Sequence, residues 1–456
     1  MFTIGLFLFL SVFFLIFLYR KRKSYYHYSP HCNYRYDMPI TKRIPLQNNL
    51  MVLPDDIGEN DTVFARIHVS CSIRGYFWHP FIRIKALGRP EYRQYVEYGS
   101  KGYRYVNLSH IVAGAKERTL HFAGRYLQLR NEDIEITVYR NPSLDNKKIL
   151  IMAPHPDDAE IAAYGLYAAY AKKVFILTVS PGENGYFHYK ELYKKEKRNE
   201  QHLKKGMLRT WNSITVPMIA GVPPENMLMM GYFNETLEEM YRHPEKEIPS
   251  KIFGTTDVTL FRRQNVNPLA ARLQPGSNWE ALVCNIRSIV QHVKPDIIIS
   301  PHPHIDSHED HQYTTIALME ALRDSDYDQG TLWFYTNHYN LTYYPLGRMG
   351  SIMPLPPRFV PDVYFDSICS YPLTEEEQRD KILAFDAMND LRPNTDYRSW
   401  KRLLVRGFTS LRARCFSMEK DYFNMYVRSN ELFYIVSTAQ LKDDAIREKI
   451  MKGVTK

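Results

Sequence analysis

The chain's 456 residues are enough for two domains beyond any anchor. A formal charge of +9 and a pI near 9.0 point to an acidic partner, but the basic residues are scattered and form no nucleic-acid motif, which argues against nucleic acid and for an anionic membrane surface. Five widely spaced cysteines (Cys32, Cys71, Cys284, Cys369 and Cys415) with no C-x-x-C pair argue against a disulfide framework or a cysteine zinc site, and read as reduced thiols of a cytoplasmic domain.

Residues 2 to 19 (FTIGLFLFLSVFFLIFLY) are uncharged and almost wholly apolar, just long enough to cross a bilayer core as a helix. Arg20, Lys21, Arg22 and Lys23 follow at once. No positive charge precedes the apolar core and no small-residue cleavage site follows it, so the stretch reads as an uncleaved N-terminal transmembrane helix rather than a secretory signal. Basic residues on its carboxyl side keep that side in the cytoplasm. The expectation is a single-pass protein of the cell membrane, anchored by residues 1–23, with its catalytic domain facing the cytoplasm. Residues 24–55, rich in Tyr, His, Asn and Pro, read as a linker near the membrane. From 56 to 140, short β-prone runs such as TVFARIHVSCSIR, FIRIKAL and IEITVYR are separated by turn signals at Gly75, Gly88 and Gly99. They predict a small antiparallel β-sandwich domain, serving either carbohydrate binding or packing between domains.

Asn141-Pro142 marks the boundary to a region at 145–456 where strands and helices alternate. Strands are expected at Lys147 to Met152, Val174 to Val179, Ile214 to Ile219, Asp296 to Ser300 and Leu332 to Tyr335. Helices are expected at Glu160 to Tyr170, Glu191 to Trp211, Asn278 to Val293 and Tyr313 to Leu322. Alternation of this kind predicts an α/β class with a doubly wound, largely parallel, Rossmann-like sheet. Thr374 with Glu377 reads as a capping box opening a further helix. Residues 233 to 276 lack apolar periodicity and read as a long functional or mobile loop. The charge run from Lys194 to Lys205 reads as a solvated helix face, and the last 50 residues give no assignment.

Two stretches carry chemistry. ILIMAPHPDDAE, from Ile149 to Glu160, is an aliphatic run followed by His155, Asp157 and Asp158 in the turn before a helix. Imidazole and carboxylate are good zinc ligands, and a carboxylate left off the metal can act as a base. Asp and Pro are also ordinary turn residues, so the stretch alone is open to a turn-only reading. About 150 residues later Ile297, Ile298 and Ile299 end in SPHPHIDSHEDH, which holds His302, His304, His308 and His311 with Asp306, Glu309 and Asp310. Two His/Asp clusters, each just after an aliphatic strand, fit ligands converging at the carboxyl edge of one parallel sheet.

PHPDD with Ala159 and Glu160, together with His308-Glu309-Asp310-His311, resembles the signature of the PIG-L/LmbE-like zinc-dependent N-deacetylases. The resemblance takes in LTVSPGENG and the Met230-Gly231-Tyr232 turn, and spans roughly residues 145–395. It implies three zinc ligands, His155, Asp158 and His311, leaving a fourth position for water. It implies Asp157 as general base, His308 as the group that stabilises the oxyanion or protonates the leaving amine, and Asp310 as the residue orienting His308. The cofactor implied is Zn²⁺, although a His₂Asp site tolerates other divalent metals. His302 and His304 read as loop residues lining the site, and Asp306 and Glu309 as exposed or helix-capping carboxylates. Glu160 reads as a first-turn charge, and Glu183 and Asn184 as either substrate contacts or a simple turn.

What the resemblance and the apparent anchor imply together is a membrane-anchored deacetylase. It would remove acetyl from an N-acetylhexosamine of a lipid-linked or cell-envelope glycan, with glycan or glycolipid and membrane as partners and no nucleic acid. Deacetylation of another small amide, and a non-catalytic glycan-binding membrane protein, are the alternatives.

Overall fold

The computed structural model describes residues 2–113, 118–130, 133–185, 193, 195–392 and 422–454; Glu191, Lys194 and Cys415 lie outside them. Ile149–Ala153 is buried along its whole length, as an aliphatic run without alternation must be if both faces of its sheet are covered. It pairs in parallel with Val174–Thr178 on one side and Ile297–Pro301 on the other. The sheet has seven strands in the order Met227–Met229, Val174–Thr178, Ile149–Ala153, Ile297–Pro301, Thr331–Tyr335, Asn430–Ser437 and Ser367–Pro372. The first five run parallel, Asn430–Ser437 runs antiparallel to them, and Ser367–Pro372, antiparallel to Asn430–Ser437, runs in the direction of the first five. From Ile149–Ala153 the chain first winds outward one way, then returns and winds the other way from Ile297–Pro301. Between these two strands the winding reverses, and a crevice opens at their carboxyl ends.

The elements around the sheet follow from local chemistry. Asn278 accepts the Ala281 N–H and caps Trp279–Val293; Thr374 and Glu377 form the capping box that opens Glu375–Ala387. Helix Asp158–Ala169 is broken at Ala163 (φ −144°, ψ 21°). There the Glu431 carboxylate accepts the Gly165 and Leu166 N–H groups at 2.9 and 3.0 Å, and Lys381 donates to Ile161 O and Glu431, both at 2.9 Å. This buried ion pair satisfies the backbone groups that the break releases.

Three sequence expectations are corrected in this region. Ile214 and Thr215 belong to helix Arg198–Thr215, and the edge strand is Met227–Met229, because Pro217 starts a 3₁₀ turn instead of a strand. Lys205 is buried, not solvated: it lies on the helix stripe shared by His202, Gly206, Arg209 and Ser213. Residues 233–276 are packed, with Phe233, Leu237, Met240, Ile248, Val258 and Phe261 all buried in the core of the large sheet.

Ahead of the sheet lie two antiparallel sheets. One joins Lys42–Pro45, Asp133–Tyr139, Thr62–Cys71 and Lys101–Asn107, with Leu127–Leu129 on Thr62–Cys71; the other joins Leu50–Val52, Thr119–Arg125, Phe81–Ala86 and Tyr92–Tyr95. Their inner faces share one apolar core, which also receives Ile352 from the α/β region. Asn107 donates to Ser370 Oγ at 2.8 Å and Tyr36 to Pro356 O at 2.6 Å, tying the two regions together.

The anchor expectation is overturned. Phe2–Lys23 is a helix, but among the described residues no helix is long and apolar enough to cross a membrane. The architecture is therefore mixed α/β with added antiparallel sheets and without an N-terminal transmembrane helix, and the single-pass, cytoplasm-facing localisation has no support. The physical reason lies in the basic flank. Arg22, read as a membrane-flanking charge, is buried with its guanidinium 4.3 Å from the centre of the Tyr98 ring. Cation–π packing against protein, not lipid, takes that charge.

Candidate active site

The first motif leaves the sheet at Ala153 and turns sharply. Asp157 stands at φ 144°, ψ −24°, a conformation that L residues avoid, directly before the helix that begins at Asp158, and its side chain makes no capping hydrogen bond. The turn sends the two neighbouring carboxylates different ways. Asp158 folds back, its Oδ2 accepting the His155 N–H at 2.8 Å and lying 3.4 Å from His155 Nδ1. Asn337 Nδ2 fixes its other oxygen at 2.9 Å. Asp157 points instead to helix Arg198–Thr215, where Arg209 Nη2 lies 3.3 Å from its Oδ1. Arg209 is itself held by Pro181 O at 2.8 Å and by an ion pair with Asp390, which Lys205 approaches to 3.5 Å.

The second motif comes off the adjacent strand. His308 caps helix Glu309–Arg323, its Nδ1 accepting the Asp310 N–H at 3.2 Å, and the cap carries His311 into the crevice. His311 Nε2 lies 3.2 Å from Asp158 Oδ2 while its Nδ1 faces Asp306 Oδ2 at 3.2 Å. Sequence and structure differ at Asp306. It is fully buried, and beyond His311 it accepts the backbone N–H groups of His308, Asn337 and His338 at 3.1, 2.9 and 3.1 Å. A carboxylate so surrounded is a fixed anion, not an exposed one.

The Asp310 carboxylate also departs from expectation: it accepts the Glu235 N–H at 2.8 Å and meets His155 Nε2 at 3.1 Å, so it orients His155 and not His308. His302 is buried behind the site against Phe334 and Tyr434, and His304 meets Arg358 at 2.9 Å. Neither reaches the cluster. Glu160 is buried with Tyr167 donating to it at 3.1 Å, Glu183 is buried on the Asn234 N–H, and Glu309 is exposed. Asn184 donates to Glu235 at 3.0 Å.

Sequence reasoning missed Arg209, Lys205, Asp390, Asn337 and His338. Arg209 and Lys205 had a signal, since they repeat with His202 and Gly206 on one stripe of an amphipathic helix and charges on such a stripe need partners. His338 had one as well, lying just past the carboxyl end of strand Thr331–Tyr335, where the same rule that found the other two clusters applies.

Electrostatics separates these groups. Burial alone would lower His155, but hydrogen bonds and charge from Asp158 and Asp310 outweigh it and raise the ring to about 9. His311 rises the same way, against burial, under Asp158 and Asp306. Asp157 goes up to about 6 through burial, with Arg209 resisting and Asp158 adding to the rise. Burial takes His308 down to about 3, and His155 and His311 push it the same way.

The donor set fits a divalent cation. His311 Nε2 and Asp310 Oδ1 are buried without a hydrogen-bond partner among the described residues. His311 has its other nitrogen on a carboxylate, the arrangement that prepares an imidazole as a metal ligand. Single donor atoms of His155, His308 and His311 lie within 4.8 Å of one another, as do those of Asp158, His311 and His338.

Comparison with known proteins gives one family match and several similar structures. No curated protein matches the sequence. Several solved structures are similar. One is N,N'-diacetylchitobiose deacetylase from Pyrococcus horikoshii (15% identity, 66% of this chain and 88% of that one, TM-score 0.35). A second is a deacetylase from the biosynthesis pathway of teicoplanin (14%, 65% and 99%, TM-score 0.34). A third is the 4-carboxy-2-hydroxymuconate hydratase GalB from Pseudomonas putida KT2440 (13%, 64% and 95%, TM-score 0.32). Residues 150–322, which carry both His/Asp clusters, match the family model described as PIG-L, GlcNAc-PI de-N-acetylase. These residues, less than half of the chain, form a PIG-L domain.

Proposed function

We propose that the chain is a divalent-cation-dependent N-deacetylase that removes acetyl from an N-acetylhexosamine of a glycan. The observation that carries this reading is one arrangement inside a PIG-L domain: two histidines and a carboxylate converge at the sheet's switch point, while the neighbouring carboxylate of Asp157 is held apart from them. His155, Asp158 and His311 would hold the cation, zinc or another divalent metal. When bound, it supplies a Lewis acid for the amide carbonyl and lowers the pKa of a water to about 7.

The chain's own residues do the rest. Asp157, with a pKa near 6, takes the proton of the attacking water and is weak enough a base to pass it to the leaving amine. Arg209 keeps its carboxylate aimed. His308 is uncharged at neutral pH, and because its Nδ1 accepts the Asp310 N–H, its proton sits on Nε2. From there it donates to the carbonyl oxygen as charge develops. Asp310 positions His155. A cavity of about 410 Å³ lies beside these groups, lined by Tyr339, Tyr343, Tyr344, Tyr422 and Tyr426 and sharing Asn337 and His338 with the site. Its size suits a small ligand and its aromatic faces suit a sugar ring.

The test is direct. Purified protein loaded with Zn²⁺ is incubated with N-acetylglucosamine oligosaccharides, and acetate and free amine are both measured. Equal amounts of each are expected from the wild type and none from Asp157→Asn. Absence of acetate from every N-acetylhexosamine glycan offered, with the cation demonstrably bound, refutes the glycan reading.

A further inference from the structure

Three of the donors discussed so far come from the two sequence motifs, but the crevice holds another imidazole. His338 offers a nitrogen within 4.8 Å of donor atoms of both Asp158 and His311. Its ring centre is 4.7 Å from that of His311 and 5.3 Å from that of His308. Its backbone is fixed by the same oxygen that faces His311: Asp306 Oδ2 receives the His338 N–H at 3.1 Å, the Asn337 N–H at 2.9 Å and His311 Nδ1 at 3.2 Å. Asn337 in turn donates to Asp158 Oδ1 at 2.9 Å. One carboxylate and one amide therefore set His338 relative to two of the proposed cation donors. On its other side His338 forms part of the wall of the tyrosine-lined cavity.

We propose that His338 is a fourth protein ligand of the divalent cation, closing on it from the side of the cavity. The inference rests on the reading that His155, Asp158 and His311 bind a cation. His338 would hold the cation from the cavity side, and the water that Asp157 deprotonates would enter as a fifth group, an expansion that catalytic zinc sites allow.

Metal-free protein titrated with Co²⁺ tests this, read by the visible d–d spectrum and by competition with a chelator. His338→Ala and His338→Gln are compared with wild type and with Asp158→Asn, and the melting temperature of each metal-free protein is recorded. The expected result is Co²⁺ binding weakened by at least about tenfold in both His338 variants, with an altered d–d band and an unchanged metal-free melting temperature. Where His338→Ala melts lower, His338→Gln carries the comparison. Wild-type affinity and spectrum in both His338 variants, with binding lost in Asp158→Asn, overturns the fourth-ligand inference alone. Wild-type binding in Asp158→Asn overturns the cation reading beneath it.

Discussion

Asp157→Asn separates function from stability at one atom. A carboxyl held near 6 instead of its ordinary 3.8 costs about 3 kcal/mol when it ionises in the folded chain, at about 1.4 kcal/mol per pH unit. Arg209 already offsets part of the burial, and that offset is contained in the figure. The amide keeps an acceptor for Arg209 Nη2 and removes the charge, so the metal-free variant should be more stable than wild type by about 1–3 kcal/mol at pH 7–8. In a chain of this length that is a rise of a few degrees in melting temperature. The sign with pH follows from linkage. The folded state holds this proton more tightly than the unfolded one, so wild type loses stability as pH rises through about 6 and loses none below its ordinary value of 3.8. The gap between variant and wild type should therefore be full above pH 6 and close between pH 6 and 4. Urea and thermal unfolding of chelator-treated protein across that range measure it, and deacetylation by the cation-loaded variant is expected to be lost. A variant less stable than wild type, or a gap that does not change with pH, would refute the assignment of Asp157 as a desolvated base.

Two further outcomes follow from the fixed anions around the site. Asp306→Asn removes the charge that holds His311 Nδ1, and chelator competition should show cation affinity falling about 10–100-fold with deacetylation falling in step; unchanged affinity would mean that His311 needs no orientation. Glu431→Leu leaves Lys381 buried without its ion-pair partner and frees the Gly165 and Leu166 N–H groups. Urea unfolding should show a loss of about 3–5 kcal/mol, and a loss under about 1 kcal/mol would show that the helix break needs no such support.

Both His/Asp clusters were legible in the sequence because each follows an aliphatic run that only a fully covered strand would carry, and the structure sets those runs side by side through Ile149 and Ile297. The capping box at Thr374 was legible because its bonds join residues three apart. Reading failed where composition stood in for packing. Residues 2 to 19 have the apolar character of a membrane helix, but composition cannot show that Arg22 is taken up by Tyr98. Residues 233–276 show no apolar period because 3₁₀ turns such as Val258–Gln264 bury single side chains without one.

The sequence by itself determined the chemistry available: which residue types stand at the end of which strand. Only the tertiary structure decided the partners. Asp310 turned to His155 and not His308, Asp306 proved to be the anion behind His311, and Arg209 and His338 arrived from elements far away in the chain. The reason is physical. A strand or a cap is specified by neighbours within a few residues, whereas a buried charge is placed by whichever distant donor the fold brings within about 3 Å of it.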